Sequence, residues 1–336
     1  MRNLGRATRD RPEASSVTTV SILIPAHRSE FLSEAIASAL AQTFQDIEIL
    51  VGDNTPNGAL EHIVSAFGSP KLKYFHHGFD NGGQNAAALW DKANGKYVKW
   101  LFYDDVLMPT SVDSLVQALR LYPQAVMAFH ERAVIDASGA VLLAPQRLLQ
   151  DGHAGLIDRS FIVRTMVPRM NNFIGEPSCI MLDKDRIHAA ELRQYKGYVP
   201  GFLGDVCAYL AVAQQGPIAA VGGYLGAFRR HGAQESADGS PIFSMGLIEW
   251  EVFLRGEAAD GNLSLNEILM ARQYLEHTYS CYVARFPELQ RFIEGLSDLT
   301  DELPRNLFSS EKFQANLTYA KEVVKARNAV VQPSAA

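Results

Sequence analysis

Through its first 135 residues the chain alternates two kinds of hydrophobic pattern. "VSILIPA" (Val20–Ala26) and "IEILVGDN" (47–54) carry nearly continuous apolar runs, the signature of strands covered on both faces. Between them, "SEFLSEAIASALAQ" sets Phe31, Leu32, Ala35, Ile36, Ala39 and Leu40 on one helical face, with Ser29 as the expected N-cap. The same alternation continues. "ALEHIVSAF" reads as a helix, "KLKYFHH" as a strand and "GGQNAAALWDKA" as a helix stopped near Gly95. "KYVKWLFY" is the next strand, "SVDSLVQALRLYP" a helix ended by Pro123, and "AVMAFHERAVI" another strand. Strands alternating with helices predict an α/β domain on a mostly parallel sheet. Ligands in such sheets lie outside the C-terminal ends of the strands. Pro25 to Arg28, Asp53, and Asp104 with Asp105 stand at three such ends and are expected to line one crevice.

The pattern then changes. "NNFIGEPSCIMLDKD" contains a short strand over 178–182, "GFLGDVCAYLAVAQQG" a helix opened by Asp205, and "AAVGGYLGAFRRHG" a strand-like run. Beyond about residue 240 the periodicity is helical, and Ser264 with Glu267 has the spacing of a capping box. These helices suit packing or an interface between copies better than a second catalytic domain.

Composition narrows the field. The 336 residues carry a formal net charge of -6, which argues against a nucleic-acid partner. Cys179, Cys207 and Cys281 are too scattered for a disulfide framework or a metal-ligand set, and a cytoplasmic setting fits them. No run is long and apolar enough to span a bilayer. Residues 1–16 lack the apolar stretch of a signal peptide and read as a disordered tail. Their arginines allow peripheral contact with the inner face of a membrane.

Two adjacent acids at a strand end repel each other, and a hard divalent cation removes that repulsion. The other reading of Asp104 and Asp105 is a turn that opens the next helix. Asn81 and Gly82 would open a helix whose N–H groups suit an anion. Asp205 can be a general base or merely cap its helix.

The ordered segments "VSILIPAHR", "IEILVGDN", "NGGQNAAALWDKANGKYVKWLFYDD", "IGEPS", "LGDVCAYLAV" and "FRRH" resemble the family 2 glycosyltransferases over residues 17–235. The resemblance implies the GT-A fold and inverting transfer from a UDP- or dTDP-sugar to a glycan, lipid-linked or protein acceptor in surface polysaccharide or glycoconjugate synthesis. It places Pro25, Ala26, His27 and Arg28 at the nucleotide and Asp53 at the base. Asn81, Gly82 and Asn85 fall beside the donor. Asp104 supports the donor ribose or a metal-bound water, and Asp105 binds Mg²⁺ or Mn²⁺ directly. Asp205 becomes the catalytic base, Glu176 an acceptor contact, Arg229 a diphosphate contact and His231 a second metal ligand. Three departures stand out: Asn54 follows Asp53 where a second acid is common, Phe102 replaces the first acid of the acidic motif, and Gly204 replaces the Glu before the base. The expected domains are therefore a tail at 1–16, the GT-A domain at 17–235, a helical extension at 236–330, also a candidate homo-oligomer surface, and a flexible tail at 331–336. Two rivals remain at this point. One is a sugar nucleotidyltransferase, whose Gly-rich signature "PAHRSEF" lacks. The other is a non-catalytic nucleotide- or glycan-binding partner subunit.

Overall fold

The structure, a computed structural model, describes residues 18–331 apart from positions 80, 233, 235, 236 and 238. The expected tails at 1–16 and 331–336 lie outside these residues, save for Val331 at the end of the last helix.

The apolar runs become strands and the one-sided runs become helices, in the expected order. β1 (Val20–Ala26), α1 (Leu32–Leu40), β2 (Ile47–Asp53), α2 (Glu61–Ser65), β3 (Leu72–His76), α3 (Gly82–Lys92) and β4 (Tyr97–Trp100) form the first half. There follow β5 (Val106–Leu107), α4 (Ser111–Leu121), β6 (Met127–Ile135), β7 (Val141–Leu143), β8 (Ala154–Ile157), α5 (Arg159–Met166), β9 (Ile180–Asp183), α6 (Gly204–Gln215) and β10 (Ile218–Arg229). They join one sheet in the order β3-β2-β1-β4-β9-β6-β10-β5, with β7 on β6 and β8 on β10. β1 to β4 are parallel, and β6 and β10 run the same way. β9 is the reversed strand between β4 and β6. The sheet is mostly parallel, and its C-terminal edge faces one way across the β4–β6 junction.

Three local expectations shift. Ser29 lies outside α1, which starts at Leu32 with Phe31 in the cap position and no side-chain cap. Pro177–Cys179 forms a 3-10 turn, so β9 begins at Ile180. Asp205 is the second residue of α6, whose N-cap is Leu203, so Asp205 does not open the helix.

One core packs Ile22, Ile24 and Ile49 of the sheet against Leu32 and Ile36 of α1 and Leu115 of α4. A second runs from Met127, Phe129 and Ile218 through Leu210 of α6 into the C-terminal helices. Those helices are α7 (Phe243–Ala259), α8 (Leu265–Tyr282), α9 (Leu289–Ile293), α10 (Asp298–Asp301) and α11 (Glu311–Val331). The second core contains Phe253 of α7, Tyr279 of α8, Phe292 of α9 and Phe313 of α11, so it crosses residue 235 without a break. The expected capping box of Ser264 and Glu267 opens α8.

Helix α7 is buried on every side between Ser244 and Ala258. Its charges are therefore interior and paired. Arg255 meets Glu251 at 2.7 Å and Arg159 meets Glu257 at 2.8 Å. Glu249 of the same helix accepts the backbone N–H groups of Gly201, Phe202 and Leu203 at 2.5, 3.1 and 2.6 Å and the Tyr198 hydroxyl at 2.9 Å. A carboxylate from α7 thus satisfies the donors that lead into α6, a role usually filled by a local cap. Among the described residues no helix is long and apolar enough to cross a membrane.

Candidate active site

After Trp100 the chain leaves the sheet: the Leu101 N–H still donates to Leu23 O, but Asp105 N–H turns back to Phe102 O at 3.1 Å. Ser178 fixes this turn from the other side of the junction. Its hydroxyl accepts the Phe102 N–H at 2.9 Å and donates to Asp105 at 2.5 Å, while its carbonyl accepts Lys99 Nζ at 2.5 Å. Lys99 is wholly buried, and burial pulls its ammonium down to about 8 against the support of Cys179 and Asp105.

The two acids are not equivalent. Asp105 is buried; one oxygen takes the Ser178 hydroxyl and the other the Arg229 N–H at 3.1 Å. Burial, then the neighbouring Asp104, pushes its carboxyl well above the usual range. Asp104 is more open, with its side chain 13% exposed, and its Oδ2 lies 3.1 Å from Nε2 of His231. Asp105, expected as the direct metal ligand, therefore faces inward, and the acid on the crevice side is Asp104.

Arg229 departs from expectation in the same way. Its side chain is buried, with Nε on Asp104 O at 2.9 Å and Nη1 on the carbonyls of Asp136 and Ala137, both at 3.2 Å. Nη2 reaches Glu34 at 2.5 Å, and the guanidinium lies over Phe31 at 4.5 Å. A cation engaged on all sides holds the acidic turn to α1, and it is not presented to a diphosphate. The end of β1 joins the same cluster through His27 against Tyr103 at 5.0 Å and Phe31 against His231 at 5.1 Å. Ala26 is buried, Pro25 half-buried, and His27 and Arg28 exposed.

Two expected donor contacts are internal. Asp53 is fully buried and accepts four bonds, from Thr55 N–H, Thr55 Oγ1, Leu60 N–H and the Tyr74 hydroxyl, at 2.7, 2.7, 2.9 and 2.9 Å. Burial raises its carboxyl, yet these bonds outweigh it and hold it below the ordinary range. Such a carboxylate closes its own Asx turn and has little capacity left for a base. Asn85 is buried as well, donating to Gly52 O at 2.9 Å and lying 2.8 Å from Nδ1 of His77. Asn81 does open α3, as expected, accepting Gln84 N–H at 2.8 Å, and Gly82 beside it is exposed.

Across the junction, Asp205 is half-buried. Its Oδ2 accepts Asn172 Nδ2 at 2.7 Å and its Oδ1 the adjacent Val206 N–H at 2.8 Å. Burial lifts its carboxyl to about 6, helped by the charge of Glu176 and opposed by these bonds. Glu176 is gripped by Arg132, at 2.6 Å from Nε and 3.2 Å from Nη2. Its field reaches both Asp105 and Asp205, so the structure brings the acidic turn, Glu176 and Asp205 into one neighbourhood.

Sequence reasoning missed Asn172, Arg132, Ser178, Lys99 and Glu34. Lys99 did leave a signal: it is a charge in the middle of an apolar strand. Ser178 lay inside the quoted "IGEPS". Nothing in "RMNNF" distinguishes Asn172 from a loop asparagine.

Among the described residues no group of three His, Cys, Asp or Glu side chains could hold a metal ion. On the crevice side Asp104 offers the carboxylate oxygens that a hard cation takes, whereas His231, 3.1 Å from it, is an imidazole, a softer ligand.

Comparison with known proteins shows likeness in sequence family and in fold. The profile described as glycosyl transferase family 2 matches residues 21–145. An uncharacterized glycosyltransferase of Rickettsia felis is 34% identical over 140 residues, 40% of this chain and 23% of that protein. A GalNAc(5)-diNAcBac-PP-undecaprenol beta-1,3-glucosyltransferase of Campylobacter jejuni is 30% identical over 105 residues, 29% of this chain and 33% of that protein. The chain thus spans a third or less of the length of these relatives. In structure it is similar to S. aureus TarS 1–349 solved with UDP-GlcNAc, with a TM-score of 0.57 at 13% identity, covering 94% of this chain and 91% of TarS 1–349. The complex of TarS 1–349 with UDP gives a TM-score of 0.57 at 12% identity, covering 94% of this chain and 92% of the other.

Proposed function

We propose that the chain, whose residues 21–145 match glycosyl transferase family 2, moves a sugar from a nucleotide-diphosphate donor, UDP- or dTDP-linked, to an acceptor hydroxyl with inversion. The observation that carries the chemistry is the state of Asp205. Of the acids assigned to the site, Asp53 is saturated with donors and Asp105 is sealed inside. Asp205 alone combines partial exposure, two bonds only, and a carboxyl lifted to about 6. A base that titrates near neutrality and keeps lone pairs available can take the proton of an attacking hydroxyl.

The donor lies over the end of β1 and the N-terminus of α3, with Pro25 to Arg28, Asn81 and Gly82 as its contacts. Asp104 and His231 would hold Mg²⁺ or Mn²⁺, which supplies charge neutralisation for the departing diphosphate. Asp105 and Arg229 keep these two side chains in place from beneath. Glu176, held by Arg132, lies on the acceptor side. The acceptor class we place first is a lipid-linked glycan at the cytoplasmic face of a membrane, a choice supported by the name of the Campylobacter relative. The C-terminal helices remain available for contact between copies.

The test is UDP release from UDP-sugars, with Mg²⁺ or Mn²⁺ and with EDTA. Asp205→Asn is expected to abolish turnover while UDP affinity stays within about twofold. Asp104→Asn and His231→Ala should each weaken metal-dependent UDP binding. A second reading, a partner subunit that binds nucleotide without reacting, is favoured by the burial of Arg229 and by Phe102. It prevails if no sugar nucleotide is turned over while UDP still binds.

A further inference from the structure

The turn that precedes the acceptor-side glutamate is built around one side chain. Asn172 Oδ1 accepts the Gly175 N–H at 3.0 Å, and its Nδ2 donates both to Gly175 O at 3.0 Å and to Asp205 Oδ2 at 2.7 Å. Gly175 O takes a second donor, the buried Tyr209 hydroxyl, at 2.9 Å. Gly175 itself has φ +96°, and a Cβ there would stand 2.8 Å from Arg132 Nε. The turn is thus closed by a glycine that only a residue without a side chain can replace, and its amide-bearing arm points across the gap to α6.

Asp205 needs such an arm. It stands in the first turn of α6 with no local cap beneath it. A half-buried carboxylate free to rotate would present its oxygens to the acceptor at random. Each oxygen takes one donor, Oδ2 the Asn172 amide at 2.7 Å and Oδ1 the adjacent Val206 N–H at 2.8 Å, so Oδ1 keeps a lone pair and the Asn172 bond is the one that ties the carboxylate to another segment. We infer that Asn172 is a positioning residue for Asp205: it clamps one carboxylate oxygen and thereby aims the other at the acceptor hydroxyl, linking the base to the Gly175–Glu176 turn that borders the acceptor. This rests on the reading of Asp205 as the base.

The bond has an electrostatic signature as well. A donor to the ionised carboxylate favours that form, so Asn172 opposes the upward push of burial and of Glu176 on Asp205. Glu176, the charge that reaches Asp205, is itself paired with Arg132 of β6, and Cys207 and Tyr209 of α6, which also feel Asp205, are both held neutral by burial. Glu249 of α7 is committed to the backbone of residues 201–203.

The experiment titrates ¹³C-labelled aspartate carboxyls by NMR in the wild type, Asn172→Ala and Asn172→Gln, with Asp205→Asn to assign the signal. UDP release from UDP-GlcNAc is followed against pH in parallel. In Asn172→Ala the Asp205 carboxyl should titrate about one unit higher, and the acid limb of kcat should move up with it. The rate above that limb is expected to fall about tenfold or more, with donor KM unchanged. Asn172→Gln should recover part of the shift. An Asp205 titration unmoved in Asn172→Ala, in a protein whose UDP affinity shows it to be folded, overturns the inference. Turnover surviving in Asp205→Asn instead overturns the base assignment, and the NMR result then still decides whether the clamp exists.

Discussion

On the β1–β4 side of the sheet, the buried carboxylate of Asp53 is neutralised by donors within seven residues, Thr55 and Leu60, plus one tyrosine from the next strand. On the α7 side, the buried carboxylates of Glu257 and Glu288 face arginines 98 and 39 residues away. The first arrangement is local turn chemistry and demands little of the tertiary fold. The second is worth having only when distant helices have already packed, because an unpaired charge left inside is costly. The turn at Asp53 can therefore be assembled from a short segment, whereas the pairs around α7 depend on the C-terminal half being packed. Asp205 stands where the two styles meet: its partner Asn172 is 33 residues away, yet the bond is a single neutral amide.

The sharpest way to break this comparison is Arg159→Met. It should cost about 3–5 kcal/mol by leaving the buried Glu257 of α7 without its distant cation, read as a fall in the urea midpoint. Replacing Arg159 and Glu257 together by apolar residues should recover much of that loss. If single and double variants unfold alike, Arg159 and Glu257 are not acting as a pair.

A smaller effect separates Asp205 from Asp53 by sign. The folded carboxyl of Asp205 lies at about 6, above its ordinary 3.8, so its ionisation opposes folding. Stability present below pH 3.8 is lost as pH rises through 6. Asp205→Asn should therefore unfold later than the wild type at pH 8, by on the order of 2 kcal/mol, and not at pH 4. Thermal melts across that range check it.

Asp53 behaves oppositely: its carboxyl is held below the ordinary 3.8, so its contribution is present above that pH and fades as pH falls through the folded value. Asp53→Asn should cost about 1–2 kcal/mol at pH 7, with the deficit shrinking below pH 4. A deficit independent of pH would mean that shape, not charge, is what the turn requires.

This local-versus-distant contrast also explains what the sequence disclosed. The strand and helix order followed from periodicity, because each apolar run buries by itself the face that its period defines. Asn81 and Ser264 were legible as helix openers since their partners sit three residues on. The reversed strand β9 was not, because direction within a sheet depends on neighbours such as β4 and β6 that are far apart in the chain. Arg229 shows the same limit within the site. Its residue type and place suggested a phosphate contact, but Glu34, 195 residues away, and three carbonyls had already claimed it. The unequal fates of Asp104 and Asp105 turn on Ser178, 73 residues from Asp105.

Glu249 carries a consequence for how such a chain could be recombined. Its carboxylate lies in α7 but serves the backbone of residues 201–203, at the entrance to the helix that bears Asp205. A chimera spliced near residue 235, joining the sheet-bearing half to a helical half with no carboxylate in the place of Glu249, would keep every residue of the β1–β4 side. It would leave three orphaned N–H groups at the foot of α6. The two halves are thus not interchangeable parts, and variation in one is constrained to travel with the other.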